Sequence, residues 1–223
     1  SYPRPIPMTP QLKSLRGATA ITGVGLFGNG ETPGFTEVEL LAEAAKRAVA
    51  DAGLTMQDID GLCTASVLST MWPMPVIEYL GINPRFIDGT MLGGSSFIAH
   101  LMPAMLALQA GQCDNVLVCY GSTQRSGTMN RAAVAAARRQ MDPQPYEMPY
   151  DPVFPVSAYA MATAAHMATY GTTRRQLAQV AVSARAWAQK NPDAFERGPL
   201  TVDDVLKARM VASPLTVRDC CLV

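Results

Sequence analysis

Two adjacent serines, Ser95 and Ser96, follow Gly93-Gly94 and open a strongly apolar stretch, Phe97 to Leu108. A hydroxyl at a helix start can cap free backbone N–H groups or, with a base beside it, attack a carbonyl carbon. Both uses stay open here. His100 lies about one turn beyond Ser96, but a histidine within an all-apolar helix reads as a satisfied core residue. His166, among alanines and methionines, reads the same way. The five cysteines, Cys63, Cys113, Cys119, Cys220 and Cys221, are odd in number and lack metal-ligand spacing. With only two histidines no zinc site is expected. Cys119 and the Cys220-Cys221 pair fall in strand-like runs, where packing is the ordinary role. Reduced thiols and the lack of a hydrophobic signal region at the start point to the cytoplasm.

Gly23-Val24-Gly25-Leu26-Phe27-Gly28 matches the GxGxxG pattern of dinucleotide sites. That mechanism needs the glycine turn to open directly into a helix whose N-terminus holds the pyrophosphate. Asn29 to Phe35, with Pro33 and Gly34, intervenes, and no acidic residue ends a second strand at the required distance. A glycine-rich strand exit is the better reading.

Eighteen basic residues balance eighteen acidic ones among 223, which argues against a nucleic-acid partner. Hydrophobic residues make up 48% and charged residues 16%, so a buried core is expected rather than disorder. The apolar stretch at 97–108 is interrupted by His100 and Pro103. It falls well short of the ~20 apolar residues of a membrane span.

The elements that must position the serines alternate in type. Ala18 to Phe27 reads as a buried strand, and Thr36 caps a helix from Glu37 to Ala52 with Val38, Leu41, Ala45 and Val49 at helical spacing. Ile59 to Val67 reads as a strand, Pro75 to Leu80 as a short helix and Arg85 to Asp88 as a brief strand. A helix from Ser95 or Ser96 to Ala110 follows, kinked by Pro103, then a buried strand from Asn115 to Tyr120. The 97–108 side chains cover the helix circumference, which predicts burial on all sides. Such alternation means an α/β domain with a largely parallel sheet.

After Tyr120 the pattern turns helical: Thr128 to Gln140, Ser157 to Tyr170, Thr173 to Gln189 and Val202 to Ala208. A proline- and aromatic-rich extended segment, Met141 to Val156, interrupts it. Leu215 to Val223 reads as a strand. The thirteen methionines serve as core filling or, at Met129, Met141, Met148, Met161 and Met167, as an adaptable groove. Arg125, Arg131, Arg138 and Arg139 suit either phosphates or a solvated face.

Several of these stretches together resemble the thiolase superfamily, in the branch of the sterol-carrier and lipid-transfer thiolases. They are the Ile21-Thr22-Gly23-Val24-Gly25 run before a long helix, Gly93-Gly94-Ser95-Ser96-Phe97 opening an apolar helix, and Cys113-Asp114-Asn115-Val116-Leu117-Val118-Cys119-Tyr120-Gly121. Later come His166-Met167-Ala168-Thr169-Tyr170-Gly171-Thr172, Asn191-Pro192, Val202-Asp203-Asp204-Val205 and Leu215-Thr216-Val217-Arg218-Asp219-Cys220-Cys221.

The resemblance implies a thiolase-like half-fold, βαβαβ with a mostly parallel sheet around a buried helix, over residues 1–120. A helical loop-domain insertion would span 121–214, with a strand over 215–223 returning to the core. The family's second half would begin where this sequence stops.

The resemblance also implies chemistry on acyl thioesters of coenzyme A, as substrate and with no covalently bound cofactor. Family members take the acyl group on a cysteine at the start of the buried helix. Here that position falls on Gly94 or Ser95, according to register, with Ser96 as a substrate-binding candidate. One implied activity is an acetyl-CoA acetyltransferase type of acyl transfer. A second is retro-aldol cleavage of a 3-hydroxyacyl-CoA, as in cysteine-less thiolase-like aldolases that work with a zinc-ribbon/OB-fold partner. A third is acyl-CoA or lipid carriage without catalysis. A homodimer is expected from the family.

Overall fold

The computed structural model describes residues 15–66, 69, 71–124, 126 and 155–221. They divide into two compact units, Ser1–Gly28 with Thr32–Thr123, and Asn29–Glu31 with Gln124–Val223. The expected helix at 128–140, the extended segment up to residue 154, Met129, Met141, Met148 and the four arginines between 125 and 139 lie outside the described residues.

The first unit is built on helix α1, Glu37–Asp51. Its start is fixed by a reciprocal cap. Thr36 Oγ1 accepts the Glu39 N–H at 3.4 Å, and the Glu39 carboxylate accepts the Thr36 N–H at 2.7 Å. Leu41, Ala45 and Val49 turn inward from α1 onto Ile59, Leu62, Val76, Ile82 and Leu117 to form the core.

Three parallel strands carry that core: β1 (Gly61–Thr64), β2 (Phe86–Asp88) and β3 (Val116–Cys119), in the order β2-β1-β3. Gly61 pairs with Phe86 on one side and Val116 on the other. Helix α2 (Pro73–Leu80) makes the first crossover, and α3 (Ser96–Ala99) with α4 (Leu101–Gln109) makes the second. This is the α/β, mostly parallel architecture expected from the sequence.

Asp60 ties the starts of all three strands. Its carboxylate accepts the backbone N–H of Asp114 at 2.9 Å and of Asn115 at 2.9 Å, and the Arg85 guanidinium donates to it. Desolvation, the largest single influence, pushes its pKa up. The Asn115 N–H, Arg85 and the Asp114 N–H together outweigh that and hold it below the ordinary carboxylate value.

Two expectations need correction. The run from Ala18 to Phe27 forms no ladder with β1, β2 or β3, and Ile21 and Leu26 are each 73% exposed. It lies along α1 instead. Asp51 accepts the Val24 N–H at 2.9 Å, and Arg47 donates to the Leu26 carbonyl at 2.9 Å. A Cβ on Gly23 would stand 2.8 Å from the Ala52 nitrogen, and one on Gly25 would run into the Ala44 carbonyl. These glycines admit a helix backbone, and α1 begins only at Glu37, so the run does not open into a helix.

The second correction concerns α3 and α4. They are not buried on all sides. Their buried stripe is Ser96, His100, Ala104 and Ala107, while Ile98, Leu101, Met102 and Leu106 are exposed. The break at His100 has a covalent cause: Pro103 has no N–H to offer the Ala99 carbonyl, so α3 stops and α4 restarts one residue later.

In the second unit, α5 (Val156–Tyr170), α6 (Arg174–Ala188) and α7 (Val202–Lys207) precede a hairpin of β4 (Met210–Ala212) and β5 (Leu215–Thr216). The strand expected over 215–223 is two residues long where described, and it pairs with β4 rather than the three-stranded sheet. Asp219 accounts for the early stop: its carboxylate accepts both the N–H and the hydroxyl of Thr216 at 2.7 Å, which turns the chain. Cys220 is therefore half-buried in a turn and Cys221 exposed, not packed in a strand.

Candidate active site

The loop between β2 and α3 leaves the carboxyl end of the parallel sheet, where open α/β folds place their ligands. Three side chains grip its backbone. Asp88 Oδ1 accepts the Thr90 N–H at 2.7 Å. His100 Nε2 lies 2.9 Å from the Thr90 carbonyl. Ser96 Oγ accepts the Leu92 N–H at 2.8 Å and donates to the Gly93 carbonyl at 2.7 Å. Gly93, at φ +70°, makes the left-handed turn this loop requires.

The candidate residues of the sequence reading part ways here. Ser96 is fully buried and committed to the loop. Ser95 is exposed, has helical dihedrals and makes no cap bond with its side chain. Gly94 is exposed, and a Cβ added there would meet nothing within 4 Å. The lack of a nucleophilic side chain at 94 is therefore not a matter of space.

Each histidine has a partner at Nε2 within its own unit. His100 is engaged with Thr90, and His166 Nε2 lies 2.9 Å from Thr172 Oγ1 in the second unit. The buried thiols do not stand ready. Burial pushes Cys63 and Cys119 up to about 12 and raises Cys113 as well. Cys220, also raised by burial, points its thiol at the Thr216 carbonyl.

His100 was read from sequence as a satisfied core histidine. It is buried, but its Nδ1 has no hydrogen-bond partner among the described residues. The signal that could have found it is the stripe Ser96, His100, Ala104, Ala107, polar or small residues at helical spacing inside an apolar run.

The second unit carries a separate recess of about 490 Å³. Arg185, Lys207, Arg209 and Arg218 line it together with Asp204. Thr201 hydrogen bonds, then Lys207 and Arg218, hold the Asp204 carboxyl below its ordinary value. Met161 is 55% exposed in this unit, not core filling within it.

No family model matches the chain. Among curated proteins it is 33% identical to a steroid side-chain-cleaving aldolase of Thermomonospora curvata, over 93% of this chain and 54% of that protein. It is 32% identical to the 17-hydroxy-3-oxo-4-pregnene-20-carboxyl-CoA lyase of Mycobacterium tuberculosis, over 93% and 55%. An acetyl-CoA acetyltransferase of Methanothermobacter thermautotrophicus is 28% identical, over 90% of this chain and 53% of that protein.

Among solved structures, one described as the Ltp2-ChsH2(DUF35) aldolase superposes with a TM-score of 0.79 at 31% identity, covering 91% of this chain and 52% of that one. A monomeric SCP2-thiolase-like protein type 1 from Mycobacterium smegmatis superposes at 0.65 and 22% identity, over 87% and 41%, which speaks to fold alone. This chain is a thiolase-superfamily homologue of the SCP2-thiolase-like branch. The thiolase homologue spans about half the length of the curated relatives it matches. No helix among its described residues is long and apolar enough to cross a membrane.

Proposed function

We propose that this thiolase homologue belongs to an enzyme that cleaves a 3-hydroxyacyl-CoA by a retro-aldol reaction, with Gly94 and Ser95 at the place where thiolases carry a nucleophilic cysteine. The observation that carries the reading is identity above 30%, over 93% of this chain, to an aldolase and to a CoA-thioester lyase, with no cysteine at 94 or 95. An unassisted serine hydroxyl is a weak nucleophile. Retro-aldol cleavage needs none: a base removes the 3-hydroxyl proton, the C2–C3 bond breaks, C3 becomes a carbonyl, and the thioester enolate is protonated at C2. Identity above 30% to an aldolase and to a CoA-thioester lyase supports this over acyl transfer, which the sequence reading had put first.

Under this reading the loop at 90–95 forms one wall of the acyl site. In the second unit taken by itself, the recess of Arg185, Lys207, Arg209 and Arg218 suits phosphate groups, since guanidinium and ammonium groups donate charge-assisted hydrogen bonds to them. The exposed apolar face of α3 and α4 would be covered by further structure in the complete enzyme. A partner subunit, of the zinc-ribbon/OB-fold kind, is part of the same proposal and is supported by the likeness to the two-component Ltp2-ChsH2(DUF35) aldolase. So is a homodimer, on family resemblance.

Acyl transfer is the second reading, favoured by the acetyltransferase relative. The test is product analysis on a 3-hydroxyacyl-CoA, with and without added coenzyme A. Retro-aldol cleavage releases a carbonyl compound and a shortened acyl-CoA with no need for free coenzyme A. Acyl transfer would instead act on the 3-oxoacyl-CoA: Ser95 attacks the C3 carbonyl, the C2–C3 bond breaks to release a shortened acyl-CoA, and free coenzyme A takes the acyl group from Ser95.

A further inference from the structure

We propose that His100 is a positioning residue that sets the loop at 90–95 from beneath, through an Nε2–H tautomer. The geometry stands by itself, and its consequence for turnover rests on the retro-aldol reading above.

A carbonyl oxygen only accepts, so the ring nitrogen 2.9 Å from the Thr90 oxygen must carry the proton. Nδ1 is then a bare acceptor, buried and without a partner among the described residues. An apolar residue would fill the same helix position without leaving a polar atom unmatched. The ring's evident gain is its grip on Thr90, whose N–H is held at the same time by Asp88. Phe97 packs edge-on against the imidazole, with ring centroids 5.9 Å apart, and limits its rotation.

Thr90 is thus held at both its backbone polar groups, and Ser96 holds Leu92 and Gly93 further along. Gly94 and Ser95 emerge from a loop fixed at three successive points. A wall fixed in this way keeps a substrate carbonyl in register, and small misplacements of reacting groups cost rate more than binding.

Two variants and one spectrum test the proposal. In the parent protein, long-range ¹⁵N–¹H correlations should show the His100 proton on Nε2. His100→Leu should speed amide exchange at Thr90 and Leu92, whose N–H groups are held by Asp88 and Ser96, by about tenfold, the scale of one lost hydrogen bond. On a 3-hydroxyacyl-CoA it should lower kcat by about tenfold while KM stays within about twofold. His100→Gln, which keeps an N–H donor, should recover most of both effects. A proton on Nδ1, or unchanged loop exchange in His100→Leu, would overturn the anchoring claim. Should the leucine variant fail to fold, the tautomer and the glutamine variant still decide. If exchange responds as expected but the parent cleaves no 3-hydroxyacyl-CoA, the anchor stands and the retro-aldol reading falls.

Discussion

The Ser96 hydroxyl donates to the Gly93 carbonyl at 2.7 Å, so of two neighbouring serines the buried one is committed to the backbone. Ser95, beside it, carries no such load. Ser96→Ala should therefore cost about 1–3 kcal/mol in denaturant unfolding, because it removes the hydroxyl's bonds to both the Leu92 N–H and the Gly93 carbonyl. Ser95→Ala should change stability by less than about 0.5 kcal/mol. Equal effects in the two variants would contradict this assignment.

Gly94 has open space around a virtual Cβ and lies outside the positive-φ region. Gly94→Cys should leave the melting temperature nearly unchanged and add one thiol that iodoacetamide modifies in the native protein. Cys63, Cys113 and Cys119, buried and with raised pKa values, should stay unmodified under the same conditions. Labelling followed by peptide mass mapping checks both halves of this expectation.

The Asp60 carboxylate predicts a pH dependence. Its native pKa lies below the ordinary value, so its stabilising contribution is complete above the unfolded pKa and is lost as pH falls through the native one. Asp60→Asn should cost about 1–3 kcal/mol at neutral pH, with charge-assisted bonds lost to Arg85, Asp114 and Asn115. The gap from the parent should narrow as pH falls below about 4. Urea titrations at neutral and acid pH would expose a constant gap, which would refute the assignment.

Ile98 is 74% exposed and Met102 56% exposed on the outer face of α3 and α4. A residue pair this apolar, left open, should make the 223-residue chain by itself self-associate or bind a hydrophobic dye. Ile98→Lys with Met102→Lys should reduce both, read by light scattering and dye fluorescence. No change in either signal would mean that this face is not what drives association.

The alternation of strands and helices was legible because the crossover pattern is local. Helix α1 has its cap, its apolar spacing and its stop close together in the sequence, in Thr36, Leu41 and Gly53. What sequence did not reveal was the partner of each apolar run. Ile21 and Leu26 read as buried, yet their side chains are exposed, and the run meets α1 through Gly23, Gly25 and the backbone of Val24 and Leu26. The apolar helix misled in the same way: its large side chains suggested burial, while the buried stripe is made of Ser96, His100 and two alanines. Of the site, the glycine-serine opening was legible. The division of labour between Ser95 and Ser96, and the hold of His100 on Thr90, depends on contacts made across the loop.

The most direct test of the central claim is the product balance for a 3-hydroxyacyl-CoA in the absence of free coenzyme A. The retro-aldol account predicts equal amounts of a carbonyl product and a shortened acyl-CoA, undiminished in Ser95→Ala. No cleavage of the 3-hydroxyacyl-CoA, together with coenzyme A-dependent cleavage of the matching 3-oxoacyl-CoA that is lost in Ser95→Ala, would contradict it.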